Sequence, residues 1–457
     1  MRRFAEKYLR DWVRRENKSP LLIRGARQVG KTYLVEQIGQ ECFDQVMVVN
    51  FELISKAVDC FNSLEPTHII QNLQLLTGTA LELNKLNKTL LFLDEIQLCP
   101  QAILALRYFK EKMPQLAVIA AGSLLEFALN DESFRMPVGR VEFLYLYPLS
   151  FKEFLWALGE VPLAEWIETV NLSLDSKNTI PESIHAKALS LIREYCIVGG
   201  MPEVVAHYST NRMDMMGFQN QQTKLLQGYR FDFAKYAKTK IQHQHLNLVF
   251  DQLSHVITQQ ITYSKIVPDL TAKDIKQALF LLKLAGLCHF VEGTSGAGIP
   301  LSALVNPKKQ KLLYLDVGLY LRDLRIDPEI SLQKEIALIN SGSLSEQFVG
   351  QELITQELPF ETPQLYFWAR DKQGSEAEVD YLCQVHDQVI PIEVKTGASK
   401  WLKSLQLFKQ TYQSPFGIRV SSQPLGLLEG SEWKEDQLLS IPFYLTSEIK
   451  RLALGLV

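Results

Sequence analysis

The sequence predicts an α/β protein: a parallel sheet with helices on both faces, then a helical region, then a second α/β unit at the C-terminal end. Three observations carry this. Short apolar runs (Pro20 to Ile23, QVMVVNF, TLLFLDE and LAVIAAGS) alternate with helical patterns between residues 20 and 123. Continuous apolar strands of this kind belong to a sheet buried on both faces. After Pro148 the pattern turns helical and stays so to about Gln244. From Ser341 a helix is followed by the strand-like runs LYFWAR, EVDYLCQV and VIPIEVK.

The chain has 457 residues, long enough for several cores, and its 47% apolar and 22% charged residues are a globular composition. A formal net charge of -3 argues against a protein coated in positive charge, and leaves room for a local basic surface on one domain. The six cysteines form no CxxC pair, so neither a zinc site nor a disulfide framework is expected. The basic opening MRRFAEKYLRDWVRREN lacks the apolar stretch of a signal peptide. The run Ala278 to Val291 is broken by Lys283 and His289 and is too short to span a bilayer. The expectation is a soluble, cytoplasmic protein with no membrane partner.

In chain order, an amphipathic helix is expected over residues 4 to 16, from Phe4, Tyr8, Leu9, Trp12 and Val13 at helical spacing. The first strand, a glycine-bearing loop and a helix from Thr32 to Ile38 follow. Helices are expected at Leu104 to Lys112, Ser150 to Leu158 and Ala186 to Ile197, with a break at Gly199-Gly200-Met201-Pro202. Ser264 to Val267, Thr271 to Leu284, CHFVE and KLLYLD read as the helices and wing strands of a winged helix. The last region opens with a helix, Leu344 to Leu353, and its strands are followed by a helix from Trp401 to Tyr412. The expected divisions are 1–155, 156–245, 246–335 and 336–457.

The most specific motif is Gly25-Ala26-Arg27-Gln28-Val29-Gly30-Lys31-Thr32, a full GxxxxGK[ST] phosphate loop between a strand and a helix. Its glycines let backbone N–H groups and the helix N-terminus face an anion. Lys31 is expected to reach the β- and γ-phosphates and Thr32 to ligate Mg²⁺, so ATP and Mg²⁺ are the expected cofactors. In Leu90-Leu91-Phe92-Leu93-Asp94-Glu95 the acids end a buried strand. Asp94 is placed to hold magnesium, and Glu95 to orient or deprotonate the attacking water. Ser123, after the fourth strand, either contacts the water or γ-phosphate or caps an ordinary turn.

Together RGARQVGKT, LLFLDEIQ, AAGSLLE, PVGRVEFLYLYPLSFKEF, GGMPEVV, LYLDVGLY and the C-terminal EVDYL…IEVK resemble a prokaryotic family of AAA-type P-loop ATPases with a poorly characterised C-terminal domain. The resemblance covers nearly the whole chain. It implies a P-loop NTPase core, with Ser123 at the polar sensor position. It also implies that Arg140 contacts the γ-phosphate, in its own subunit or from a neighbour; the alternative is a surface or salt-bridged arginine. Arg27 is typical of the loop but receives no role.

Glu378-Val379-Asp380 and Ile392-Glu393-Val394-Lys395 are similar to the PD-(D/E)xK nuclease core, which implies a restriction-endonuclease-like fold. Asp380 and Glu393 on adjacent strands can share Mg²⁺, with Glu346 on the preceding helix as an extra acid. Lys395 leaves the same strand face as Glu393 and can steady the attacking hydroxide. The aspartate is not preceded by proline, and Glu393 with Lys395 also reads as an ion pair on a solvated face. Tyr229 to Lys240 interleaves aromatic and basic residues, either to track a nucleic-acid backbone or as an amphipathic helix. Lys273 and Lys276 are candidates for DNA contact.

Two functions are therefore expected: an ATPase controlling a nuclease-like, DNA-binding domain, or a nucleotide-dependent switch whose nuclease fold is catalytically silent. ATP, DNA and further copies of the chain are the candidate partners. A deep basic groove around Glu393 favours the first, and an acidic or plugged pocket the second.

Overall fold

The computed structural model describes residues 1–129, 139–172, 180–327, 342–370, 377–395, 402–428 and 437–457. The N-terminal sheet has five strands: β1 (Leu21–Arg24), β2 (Gln45–Asn50), β3 (Thr89–Asp94), β4 (Ala117–Ala121) and β5 (Glu142–Tyr145). Their order is β2-β3-β4-β1-β5, and every pairing is parallel. Alternate residues explain why the strands read as continuous apolar runs. Leu21, Ile23, Leu90, Phe92 and Ile119 enter one apolar cluster, whereas Leu22, Met47, Leu91, Leu93 and Val118 enter another on the opposite face. This sheet matches a P-loop NTPase core.

The expected helices form, with somewhat different bounds: Phe4–Arg14, Lys31–Cys42, Pro100–Lys112, Phe151–Ala157, Glu182–Val198 and Ser343–Thr355. Ser150 and Glu153 close a reciprocal cap at the start of Phe151–Ala157. Helices Pro202–Thr210, Met215–Tyr236, Lys240–Val256, Tyr263–Ile266 and Ala272–Leu284 follow. Ser341 and Trp401, where the last region and its second helix were expected to begin, lie outside the described residues, as do Pro137 and Val138 of the PVGRV stretch.

A second sheet has eight strands: β6 (Cys288–Thr294), β7 (Val305–Tyr314), β8 (Leu365–Ala369), β9 (Glu378–Val385), β10 (Gln388–Val394), β11 (Phe416–Ser421), β12 (Gly426–Leu428) and β13 (Gln437–Pro442). The order is β12-β13-β11-β10-β9-β8-β6-β7. Strands β6 and β7, expected as wing strands of a separate module, pair with each other and then, through β6, with β8. One sheet thus crosses the division expected at residue 335, so β7 is held in register with the C-terminal strands.

The family-like segments GGMPEVV and LYLDVGLY meet at one buried carboxylate. Asp316 accepts from Gly200 N (2.7 Å), Gly318 N (3.0 Å), Leu319 N (3.0 Å) and Gln351 Nε2 (3.3 Å). Gly318 lies so close to the backbone of Val198 and Gly199 that a Cβ there would overlap it. The apolar cluster on this side runs from Leu9 through Tyr195, Phe250 and Phe348 to Ala453, and fastens the regions together. No described helix is long and apolar enough to cross a membrane.

Candidate functional site

The loop after β1 is built by backbone geometry. Gly25 has φ 139° and Gly30 φ 92°, in the region open mainly to glycine, and Gln28 follows with φ 66°. Gly30 stands at the N-cap of Lys31–Cys42, so the first N–H groups of that helix face the loop. Lys31 folds back to donate to Gly25 O (3.0 Å) and Ala26 O (2.7 Å). Its burial pushes the ammonium down to about 8, against the pull of Glu95 and Asp94. A buried, poorly compensated cation inside an amide-lined loop is suited to an anionic ligand.

Asp94 ends β3 beside this loop. Its Oδ2 accepts from Thr32 Oγ1 (3.2 Å) and Asn50 Nδ2 (3.0 Å), and its Oδ1 from Glu95 N (3.1 Å). Burial and then the neighbouring Glu95 push the Asp94 carboxyl above its ordinary value. Thr32 and Asp94 thus bring two hard oxygens together next to the loop, a donor set that fits a magnesium ion. Glu95 has φ 51° and points to the end of β4, where its Oε2 accepts from Ser123 Oγ (3.1 Å) and Gln97 Nε2 (2.5 Å). The loop residues Gly25 to Thr32, with Asp94, Glu95 and Ser123, therefore surround one place at the C-terminal edge of the sheet.

Arg140 is not part of it. It lies just before β5, whose Glu142 pairs with Leu21 at the start of β1, so it sits at the opposite edge of the sheet from the loop. There its Nε is 3.2 Å from Glu111 Oε1. The arrangement corrects the expectation that Arg140 contacts the phosphate of its own chain. The salt-bridged alternative describes its present partner.

Residues that sequence reasoning passed over hold the loop from outside. Arg3, buried, donates to Val29 O (3.1 Å), Tyr147 O (2.5 Å) and Glu153 Oε1 (3.1 Å). Arg27 is ion-paired to Asp232, and Tyr229 OH donates to Arg27 O (3.2 Å). Gly286, in the turn before β6, packs on Ala26. The only signal in the sequence was charge on otherwise amphipathic helices, which any solvated face produces.

The C-terminal candidates also converge, but on a lysine. In the register Tyr381↔Ile392, Asp380 and Glu393 are the next cross-strand pair of β9 and β10, and Asp380 Oδ2 accepts from Val394 N (2.7 Å). Lys395 Nζ is 2.6 Å from Glu393 Oε1. Glu346, on Ser343–Thr355, is 2.8 Å from Lys311 Nζ of β7, which is also 2.5 Å from Glu378 and 4.0 Å from Asp380. Burial pushes the carboxyls of Glu346, Asp380 and Glu393 upward, with Lys311 and Lys395 opposing it. Among the described residues, no group of three or more His, Cys, Asp or Glu side chains is arranged to hold a metal ion. With Lys311 Nζ 2.8 Å from Glu346 and 4.0 Å from Asp380, a cation already stands beside two of the three acids expected to share magnesium. Glu393 is buried beside Lys395, while the neighbouring acids Glu346, Glu378 and Asp380 gather around Lys311; the surroundings are buried and acidic rather than a deep basic groove.

The aromatic-basic stretch spans the end of the helix Met215–Tyr236, which has one buried face, and the break before the helix Lys240–Val256. Tyr229, Phe233 and Tyr236 are buried, and Arg230 is paired with Asp251. Lys273 and Lys276 are exposed, the latter 5.0 Å above the ring of Tyr263.

Family models match three segments: an AAA domain at residues 17–155, a domain of unknown function (DUF8612) at 189–329 and another (DUF4143) at 341–430. The N-terminal region is an AAA-type ATPase domain. No curated protein matches the sequence. Among solved structures, the chain is similar to a Walker-type ATPase of Pyrococcus abyssi at 15% identity and TM-score 0.43, covering 70% of this chain and 94% of that one. It is also similar to the ORC1 protein of Aeropyrum pernix in complex with DNA (13% identity, TM-score 0.25, covering 72% and 92%). A third is the RuvB Holliday junction branch migration motor of Thermotoga maritima (14% identity, TM-score 0.28, covering 68% and 88%).

Proposed function

We propose that the chain is a magnesium-dependent ATPase that works as a nucleotide-controlled switch, with a nuclease-like C-terminal domain that binds rather than cuts. The observation that carries the ATPase reading is the meeting of Lys31, the Thr32–Asp94 pair and the Ser123-held Glu95 around one glycine loop. Lys31 exchanges two carbonyl partners for phosphate oxygens, which relieves its unfavourable burial. Thr32 and Asp94 would hold magnesium, which would supply positive charge beside the phosphates. Glu95, released from Ser123, orients the water that attacks the γ-phosphate.

Movement would leave the loop through Arg27. A γ-phosphate competes with Asp232 for that guanidinium, and Asp232 belongs to the helix that packs on the middle region. Gly286 against Ala26 offers a second route, into β6 and the eight-stranded sheet. The helices from Lys240 to Leu284 with β6 and β7 act as the winged-helix-like link in this reading. The silent character of the last domain is supported by Lys311 among its acids.

A second reading, ATP-controlled cleavage of DNA, has one observation in its favour. Glu393 Oε2 is buried and has no hydrogen-bond partner among the described residues, and Lys395 just beyond the strand stands beside the same side chain. Phosphate release from Mg²⁺–ATP, with and without DNA, together with nicking of a supercoiled plasmid, separates the two. The switch predicts phosphate release that Lys31→Ala abolishes and an intact plasmid. Nicking that Asp380→Ala and Lys395→Ala both eliminate would establish the nuclease instead.

A further inference from the structure

Lys311 lies in the run KKQKLLY, on a strand whose first half is half-buried or exposed. Its own residue is only 1% exposed. The ammonium touches Glu346 on one side and Glu378 on the other, stands 4.0 Å from Asp380, and lies 5.0 Å from the ring centroid of Phe367. Two of these acids, Glu346 and Asp380, are the ones a nuclease-like core would turn toward a metal.

The backbone of Lys311 cannot easily withdraw. Lys311 pairs with Val291 of β6, and Val291 pairs with Leu365 of β8 within the same sheet. Taking the lysine out would mean breaking ladder hydrogen bonds on an edge strand that the Ser343–Thr355 helix also fastens, since Gln347 bonds both Tyr314 N (2.8 Å) and Tyr314 O (3.0 Å). With its backbone so held, its residue buried and its ammonium against two carboxylates, Lys311 is a standing counter-ion. A divalent cation approaching the same carboxylates meets its repulsion at short range in a poorly solvated place. An ammonium also has no coordination sites, so it cannot activate a water as a metal does.

We infer that Lys311 is the resident cation of the C-terminal acid cluster, standing against Glu346 and beside Asp380, two of the acids a nuclease-like core would turn toward a divalent metal, and that this domain works metal-free. The inference rests on the nuclease-like reading of the domain and gives its silence a cause. Because Lys311 comes from β7, the cluster also joins the strand before residue 336 to the helix and strands after it.

The test is Mn²⁺ binding by the full chain without nucleotide, followed by electron paramagnetic resonance. The wild type is expected to bind no Mn²⁺ that depends on Asp380 or Glu393, so Asp380→Asn and Glu393→Gln should leave its isotherm unchanged. Lys311→Ala should melt lower than the wild type, gain one bound Mn²⁺, recover much of its melting temperature in Mn²⁺, and lose that gain when combined with Glu346→Gln. A wild-type site for Mn²⁺ that Asp380→Asn removes would overturn the inference, as would folded Lys311→Ala that gains none. Should Lys311→Ala fail to fold, the wild-type and Asp380→Asn isotherms still decide. Plasmid nicking measured in parallel reports on silence alone, since metal-independent nicking would sink the silent reading while the isotherms judge the lysine.

Discussion

The guanidinium of Arg27, inside the phosphate loop, is ion-paired to Asp232 on the helix Met215–Tyr236. Asp232 is almost fully buried, whereas the Arg27 side chain is 38% exposed. Removing the carboxylate therefore leaves a cation that water can partly solvate, and the cost should be modest. Asp232→Ala is expected to lower stability by about 1–2 kcal/mol, read from the urea midpoint. Its larger effect should be on communication. Hydrogen exchange in Met215–Tyr236 should respond to Mg²⁺–ATP in the wild type and much less in the variant.

Asp316 is the opposite case, since it is buried and satisfied only by protein donors. Asp316→Ala leaves the N–H groups of Gly200, Gly318 and Leu319 without that acceptor in the interior. A loss of about 3 kcal/mol is expected, and Asp316→Asn should lose less because one oxygen can still accept. Chemical denaturation of both variants checks the order.

His289 gives a pH dependence whose sign follows from its burial. It packs against Tyr147 with ring centroids 5.7 Å apart, beside a cavity of about 240 Å³ also lined by Lys283 and Glu292. Burial, and then Lys283, pull its pKa down from 6.5 to about 4. Between those values the unfolded chain binds a proton that the folded chain refuses, so stability falls as pH drops from about 6.5 toward 4. The loss from this residue is on the order of 3 kcal/mol. His289→Gln should flatten that part of the melting-temperature profile relative to the wild type.

The loop was legible because its chemistry demands particular residues at fixed spacing, and β1, β3 and β4 because these inner strands, covered on both faces, are almost wholly apolar. Strand β5 was missed: EFLY is an edge strand with one buried position, and it reads equally well as loop. Asp232, Arg3 and Lys311 were invisible for another reason. Each lies in a segment with a charged face, and only the packing of distant elements turns that charge inward. Arg140 was placed by motif resemblance, which carries no information about which end of a strand faces the loop. The acids Glu346, Asp380 and Glu393 were legible as a constellation, yet the lysine that changes its meaning comes from a strand assigned to a different module.

Turnover of the Glu95→Gln variant tests the central claim most directly. Glutamine keeps the side-chain shape and a hydrogen bond to Ser123, so ATP binding should match the wild type. Loss of the carboxylate should lower phosphate release from Mg²⁺–ATP by roughly 10²- to 10⁴-fold. Wild-type release that Glu95→Gln leaves unchanged, or a wild type that binds ATP and releases no phosphate at all, would contradict the assignment of this site as an ATPase centre.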